Sequence, residues 1–166
     1  MYNADTNGFT NTISPRFKIV NTGKQPVKLS DIKVRYYFTV DDEKQQSFSC
    51  DYSSVGNSNV TRTFVKMPGH LTTADCYFEL GFSSSGTIAT NSSVEVQSRI
   101  YKTDWSNYTQ TNDYSFNSND TNYTDFDKVA AYIGRGLLGG KKQASADFII
   151  QRFYYFLPYN YSPIEL

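Results

Sequence analysis

The chain has 166 residues, a length that suits one domain and can bury a core without disulfides or metal ions. Lys and Arg total 16, as do Asp and Glu, so the formal net charge is zero. This balance argues against nucleic-acid and membrane-surface partners, which require a basic face. Aromatic residues make up 16% of the chain and charged residues only 19%, a composition that predicts an all-β domain.

Short stretches of alternating apolar and polar residues recur along the chain and predict its strands. The clearest stretch is 32–38, where every second residue is apolar. The other predicted strands cover residues 17–19, 48–50, 61–67, 76–82, 93–101 and 128–133. Turn-forming sequences separate them at 56–59, 68–69, 83–86 and 117–120. No helical period persists, so the sequence predicts an all-β fold, an antiparallel two-sheet sandwich or jelly roll.

The cysteines and the two ends of the chain say little about location. Cys50 and Cys76 could form one disulfide in an oxidising compartment, but we expect them to be unpaired, because free cysteines are commonly small buried apolar side chains. Met1 is not followed by a secretion signal, and we expect the sequence to be cut from a longer protein. No apolar run approaches the roughly 20 residues of a membrane span. Residues 141–166 form an aromatic-rich segment of unknown role, either packed on the sandwich or exposed.

Catalytic motifs are missing from the sequence, which predicts that the chain is not an enzyme. The single histidine, His70, follows a Pro-Gly pair and is expected to be a turn residue. The neighbouring carboxylates at 41–43, and those of Asp125 and Asp127, are interpreted as solvated turn residues, since adjacency in sequence does not place two carboxyls across a cleft. The sequence contains no nucleophile elbow, phosphate-binding glycine loop or paired Cys/His metal spacing.

A polar and aromatic stretch at 99–116 carries the only tryptophan, Trp105. Its polar neighbours leave two interpretations open: the indole is an exposed platform for a sugar ring, or it plugs the edge of the core. Arg99 and Asp104 could orient sugar hydroxyls through charge-assisted hydrogen bonds. An aromatic platform with a neutral polar rim is more typical of a carbohydrate surface site than of a protein interface.

Several longer motifs occur in consistent order and spacing along residues 1–140. They are ISPRFK at 13–18, NTG at 21–23, VRYYFTVD at 34–41, CD at 50–51, TFVKM at 63–67 and DWSNYTQTNDYSF at 104–116. On these motifs the chain resembles a family 3 carbohydrate-binding module, the cellulose-binding domain of cellulosomal scaffoldins and cellulases. The resemblance implies a jelly-roll sandwich of about nine strands over 1–140, in agreement with the alternation.

The resemblance also implies a binding site, a flat strip of aromatic and charged residues on one sheet. Tyr52 stands where many members have His, and its ring could still stack. The run 52–61 is shorter than in the strongest binders and lacks their further tyrosine, which should weaken binding by about 0.5–1.5 kcal/mol, up to about tenfold. The implied strip residues are Trp105, Arg99, Asp51 and Tyr52, with an ion pair between Asp51 and Arg99, and the implied polar anchors are Asn11, Gln97 and Tyr114.

One structural calcium ion is implied by the resemblance as well. Its ligands would be oxygen atoms only, two of them from carboxylates, which suits a hard cation. From the residues alone these positions are turn residues. The implied ligands are Thr39, Asp41, Thr109, Asn112 and Asp113.

Taken with the resemblance, the sequence predicts a non-catalytic, extracellular, monomeric module of a larger multidomain protein that binds cellulose or a related plant cell-wall polysaccharide. One alternative is the polysaccharide-sensing outer domain of a membrane-bound anti-sigma factor. Another is an enzyme-auxiliary module that does not bind crystalline cellulose. The retention of Trp105 and Arg99 argues against the second alternative, because that subgroup loses the strip.

Overall fold

The computed structural model describes residues 1–134 and 136–141, apart from the side chain of His70. Its strands pair antiparallel throughout. Among the described residues the strands are β1 (Tyr2–Asn3), β2 (Phe9–Thr10), β3 (Thr12–Ile13), β4 (Pro15–Asn21), β5 (Val27–Lys28), β6 (Ile32–Phe38), β7 (Gln46–Ser53), β8 (Val60–Leu71), β9 (Ala74–Phe82), β10 (Thr87–Ile88), β11 (Ser92–Lys102), β12 (Tyr108–Thr109), β13 (Val129–Ile133) and β14 (Gly136–Gly139).

Two five-stranded sheets face each other and confirm the predicted sandwich. In the first sheet β11 is central, with β7 along one edge and β4 and β3 along the other, and β1 continues outward from β4. The second sheet has the order β14-β13-β6-β9-β8. The ribbons β5–β10 and β2–β12 complete this antiparallel jelly-roll architecture. Each of the seven strands predicted from alternation is found, most of them longer than predicted.

The core lies between the two sheets because the alternating residues of each strand point inward together. On β4 the residues alternate strictly between buried and half-buried, with Phe17 and Ile19 inside. Val34 and Tyr36 from β6 meet them from the opposite sheet in the same apolar cluster. Fully burying such a side chain stabilises the fold by about 1.5–3 kcal/mol.

The prediction of a turn at 68–69 is wrong. Pro68 and Gly69 lie within β8, and so does the backbone of His70; the chain reverses only after Leu71. The β8–β9 register shifts between Lys66 and Leu71, and Gly69 has a φ of 87°. Since β8 is the last strand of its sheet, its irregular end tolerates a proline that lacks a ladder donor.

The structure also decides the state of the cysteines and shows where the described part of the chain ends. Cys50 on β7 and Cys76 on β9 belong to different sheets and are free thiols, which confirms that they are unpaired. The chain passes through β14 at the edge of the second sheet. The segment predicted at 141–166 lies, beyond Lys141, outside the described residues. The helices of the described part of the chain are single short turns that could not cross a bilayer.

Candidate functional site

A β-bulge shapes the outer face of the first sheet. Gln97 pairs with Tyr52, but the next residue, Ser98, pairs with Cys50, so Asp51 is the extra residue of β7. In a regular strand consecutive side chains point to opposite faces. The bulge re-aims the chain here, and both Asp51 and Tyr52 are exposed on the same side of the sheet.

Two guanidinium groups share the Asp51 carboxylate. Arg99 donates from Nε to Asp51 Oδ1 and Oδ2, at 2.8 and 3.1 Å, which confirms the ion pair expected from the sequence. Arg16 on β4 donates from Nη1 to Asp51 Oδ2 at 3.3 Å. Arg16 therefore extends the charged part of the surface toward β1.

Trp105 lies beside these charges on the turn that follows β11. It is 53% exposed, which favours the platform interpretation over the core plug. Its φ of 61° is in the left-handed region, an uncommon conformation for a bulky residue, and its N–H donates to the carbonyl of Lys102 at 2.9 Å. The ring of Tyr101 stacks on the indole with a centroid distance of 4.7 Å and an angle of 8° between the planes.

Two ion pairs tie the Trp105 turn to the loop that follows β6. Lys102 is buried, with its Nζ 3.3 Å from Asp42 Oδ1 and hydrogen-bonded to the carbonyl of Asn107 at 2.7 Å. Lys44 pairs with Asp104 at 2.9 Å on the surface, and this pair, with the hydrogen bonds of Ser106, lowers the pKa of the Asp104 carboxyl. The acidic run at 41–43 thus includes a structural partner and is not merely solvated.

One of the three predicted anchors, Gln97, lies on the strip face, and a second, Asn11, is exposed just before β3. Gln97 stands between Arg16 and Tyr52 in a row across three strands, and Tyr52 is 47% exposed. Asn11 is exposed and directly precedes Thr12, which pairs with Tyr101.

Tyr114 is not part of this surface, so its assignment as an anchor is corrected. Its ring packs edge-on against Tyr37 at 6.0 Å, on the outer face of the second sheet, and its N–H donates to the carbonyl of Thr73. The reason is the path of the chain after the Trp105 turn: Ser115 donates to the carbonyl of Tyr37 on β6, which carries this segment to the opposite sheet. Proximity to Trp105 in sequence does not place Tyr114 near it.

The predicted calcium ligands converge at the end of β6. Thr39 Oγ1 lies 2.8 Å from Asp113 Oδ1 and 3.3 Å from both Asp41 Oδ1 and Asn112 Oδ1. A hydroxyl has one proton to donate, so most of these oxygen–oxygen approaches are not hydrogen bonds. Thr109 joins the group through its N–H, which donates to Asp41 Oδ2 at 2.6 Å.

Asp113 is the member of this cluster with an unsatisfied carboxylate oxygen. Its Oδ2 is buried and has no hydrogen-bond partner among the described residues. Burial raises the pKa of the Asp113 carboxyl to about 8, against hydrogen bonds from Thr39 and with a further upward contribution from Asp41. Asp41 itself has a φ of 65°. A divalent cation would both satisfy the orphaned oxygen and stabilise the ionised carboxylates, so these residues fit Ca²⁺.

Comparisons with known proteins show the family to which the chain belongs. The family model described as the cellulose binding domain matches residues 1–140. The chain belongs to carbohydrate-binding module family 3. The module is 52% identical to Exoglucanase-2 of Thermoclostridium stercorarium over 140 residues, which cover 84% of this chain and 15% of that enzyme. It is 43% identical to the anti-sigma-I factor RsgI4 of Acetivibrio thermocellus over 142 residues, 85% of this chain and 27% of that protein. The module therefore spans only a small part of these curated relatives.

A solved structure carries the same fold. The CBM3b of the major scaffoldin subunit ScaA from Acetivibrio cellulolyticus shares 54% identity with this family 3 module and superposes with a TM-score of 0.82, over 85% of this chain and 93% of that one.

Sequence reasoning did not identify three residues that contribute to the site. Arg16 directly precedes the predicted strand 17–19, and Tyr101 ends the predicted strand 93–101. Only the strand pairing and the Trp105 turn place them beside Asp51 and Trp105. Lys102 was missed because a lysine at a strand end is expected to point to solvent. The alternation itself was the available signal, since Ile100 points inward and Lys102 lies two residues further on.

Proposed function

We propose that this module binds cellulose, or a closely related plant cell-wall polysaccharide, without catalysing its hydrolysis. The observation that carries the proposal is the set of Trp105, Tyr52 and the Asp51–Arg99 pair, all exposed on one sheet face. Relatives named as an exoglucanase and as scaffolding proteins support it.

The chemistry of the strip suits a flat polysaccharide surface. Aromatic faces cover the C–H faces of sugar rings, and a guanidinium–carboxylate pair offers hydrogen-bond donors and acceptors to the hydroxyls. The strip rests on paired strands and on a turn held by ion pairs, so little order has to be created on binding. A row of exposed rings and charges held on a sheet matches an extended chain at a solid surface better than it matches a single soluble sugar.

The setting of the module is part of the proposal. Cellulose is an extracellular polymer, so the module acts outside the cell, attached to a longer protein whose other domains it holds against the substrate. The anti-sigma factor relative supports a second setting, in which the same strip detects polysaccharide for signalling. Both settings require the same binding surface and differ only in the attached domains.

A structural Ca²⁺ ion is proposed at the cluster of Thr39, Asp41, Asn112 and Asp113, with Thr109 alongside. When bound, the ion would supply positive charge to Asp113 and Asp41 and link the end of β6 to the chain that follows the Trp105 turn. The orphaned Oδ2 of Asp113 supports this assignment. The ion would stabilise the fold and the position of the strip and would take no part in contacting sugar.

The test is depletion of the protein from solution by microcrystalline cellulose. Trp105→Ala should weaken binding by about two- to tenfold, because a stacking platform worth about 0.5–1.5 kcal/mol is removed. Tyr114→Ala is the matched control: it also removes an aromatic ring, but from the opposite sheet, and should bind as the wild type does. Circular dichroism establishes that each variant is folded. Folded wild-type protein that stays in solution would refute the proposal, as would equal binding by Trp105→Ala.

A further inference from the structure

Trp105 lies on a turn whose backbone is fixed by hydrogen bonds. These bonds do not explain the orientation of its indole ring. The N–H of Trp105 and the side chains of Asp104 and Ser106 fix the turn through hydrogen bonds. None of these contacts restrains rotation of the indole about its own side-chain bonds. An exposed side chain that is free to rotate loses conformational entropy when it binds a ligand in one orientation.

Tyr101 supplies the missing contact. Its ring covers one face of the Trp105 indole, nearly parallel to it, with the centroids 4.7 Å apart. This offset-stacked geometry is a favoured arrangement of two aromatic rings. With Trp105 still 53% exposed, the face that remains open is the one turned away from Tyr101.

Tyr101 is itself part of the sheet. Its backbone lies in β11 and pairs with Thr12 on one side and Ser47 on the other. The neighbouring Ser47 and Ser49 side chains of β7 lower the pKa of the Tyr101 hydroxyl. A ring anchored to two paired strands moves with the sheet and not with the turn.

We propose that Tyr101 is a positioning residue that holds the Trp105 indole in the orientation in which it meets a sugar ring. This inference rests on the proposed function, since it assigns Tyr101 a role in the same strip. Tyr101 aligns the platform on the turn with the Arg99–Asp51 pair, because Tyr101 and Arg99 occupy successive outward positions of β11. The Trp105 ring is thereby held in line with the sheet and does not rotate freely beside it.

Trp105 is the only tryptophan of the chain, so its fluorescence reports on this contact directly. The test compares wild-type protein with Tyr101→Ala, Tyr101→Leu and Tyr101→Phe. In the Ala and Leu variants the indole should show faster local motion in time-resolved anisotropy and greater quenching by acrylamide. Tyr101→Phe keeps the stacked face and should restore both readouts nearly to wild-type values.

Cellulose depletion is then measured on the same four proteins. The Ala and Leu variants should bind about two- to tenfold more weakly, the cost of ordering one freed side chain, with unchanged melting temperature. Unchanged indole motion in both variants would overturn the proposal. So would weaker binding without increased motion, because Tyr101 would then contact the sugar itself. If wild-type protein does not bind cellulose, the proposed function fails, while the anisotropy comparison still decides whether Tyr101 holds the indole.

Discussion

Lys102 offers the sharpest test of how the Trp105 turn is built. Its side chain is 1% exposed, yet it carries an ammonium group 2.7 Å from the carbonyl of Asn107 and 3.3 Å from Asp42 Oδ1. The same Nζ lies 4.5 Å from the centroid of the Tyr108 ring. Lys102→Met keeps the apolar stem and removes all three interactions, so it isolates what the charge contributes.

The expected change in the free energy of unfolding of Lys102→Met is the sum of opposing contributions. A hydrogen bond from a charged group is worth about 1.5–3 kcal/mol and a cation–π contact about 0.5–2 kcal/mol. Removing the buried ammonium also removes its desolvation penalty, which is several kcal/mol before compensation. Asp42 is partly exposed and can be rehydrated after its partner is lost, so it adds little further cost. The net expectation is a loss of about 1–2 kcal/mol in the free energy of unfolding, or about 2–8 °C in melting temperature.

Thermal and urea unfolding measure this loss, and Lys44→Met is the matched control. Lys44 forms an ion pair with Asp104 between the same two loops, but on the surface, so its removal should leave the melting temperature within experimental error. If Lys102→Met is as stable as the wild type, the charged interactions do not outweigh the desolvation of the ammonium and the reasoning is wrong. Equal losses in the two variants would contradict it as well.

Three further predictions follow from other parts of the structure. Chelation of Ca²⁺ should lower the melting temperature and added Ca²⁺ should restore it, whereas Asp113→Asn should lose this response; scanning calorimetry with and without chelator measures it. Because burial raises the pKa of Cys76 to about 12 and also raises that of Cys50, iodoacetamide at pH 8 should modify half-buried Cys50 slowly and Cys76 only after unfolding, as mass spectrometry would show. Labelling of both thiols at one rate in the native state would contradict this. Asp51→Asn should weaken cellulose depletion by about two- to fivefold with little change in stability, since an exposed pair with Arg99 contributes only about 0.2–1 kcal/mol.

Strand identity could be predicted from the sequence because alternation is a local property. Residues 32–38 and 93–101 show the period of two that one buried face imposes, and both are strands. The resemblance to the family named Trp105, Arg99 and Asp51 as strip residues, and the structure brings them to one face. The strand predictions are confirmed because each depends on few residues that are close in sequence, whereas the role of the strip residues in binding stays a prediction.

The features that could not be predicted depend on pairing between distant strands. The stack of Tyr101 on Trp105 requires the conformation of one turn, and the contact of Arg16 with Asp51 requires three strands in register. Tyr114 was assigned to the wrong face because the crossing to the second sheet leaves no mark in the sequence. Pro68 was expected to lie in a turn. It lies instead in an edge strand, where proline is tolerated because no neighbouring strand on the outer side needs a backbone N–H donor.

The extra residue in β7 makes strand length, and not only residue identity, a determinant of which side chains share this surface. Without the bulge, Asp51 and Tyr52 would lie on opposite faces, and only one of them could contribute to a common surface. Deleting Asp51 alone would leave Cys50 paired with Ser98 and Tyr52 paired with Gln97, a regular ladder that keeps the ring and loses the carboxylate. A one-residue insertion or deletion at this point is therefore a single genetic event that adds or removes the acidic group of the face while leaving the sandwich intact. Lineages of such modules could diversify in ligand preference through changes in strand length at this position, with no new loop required.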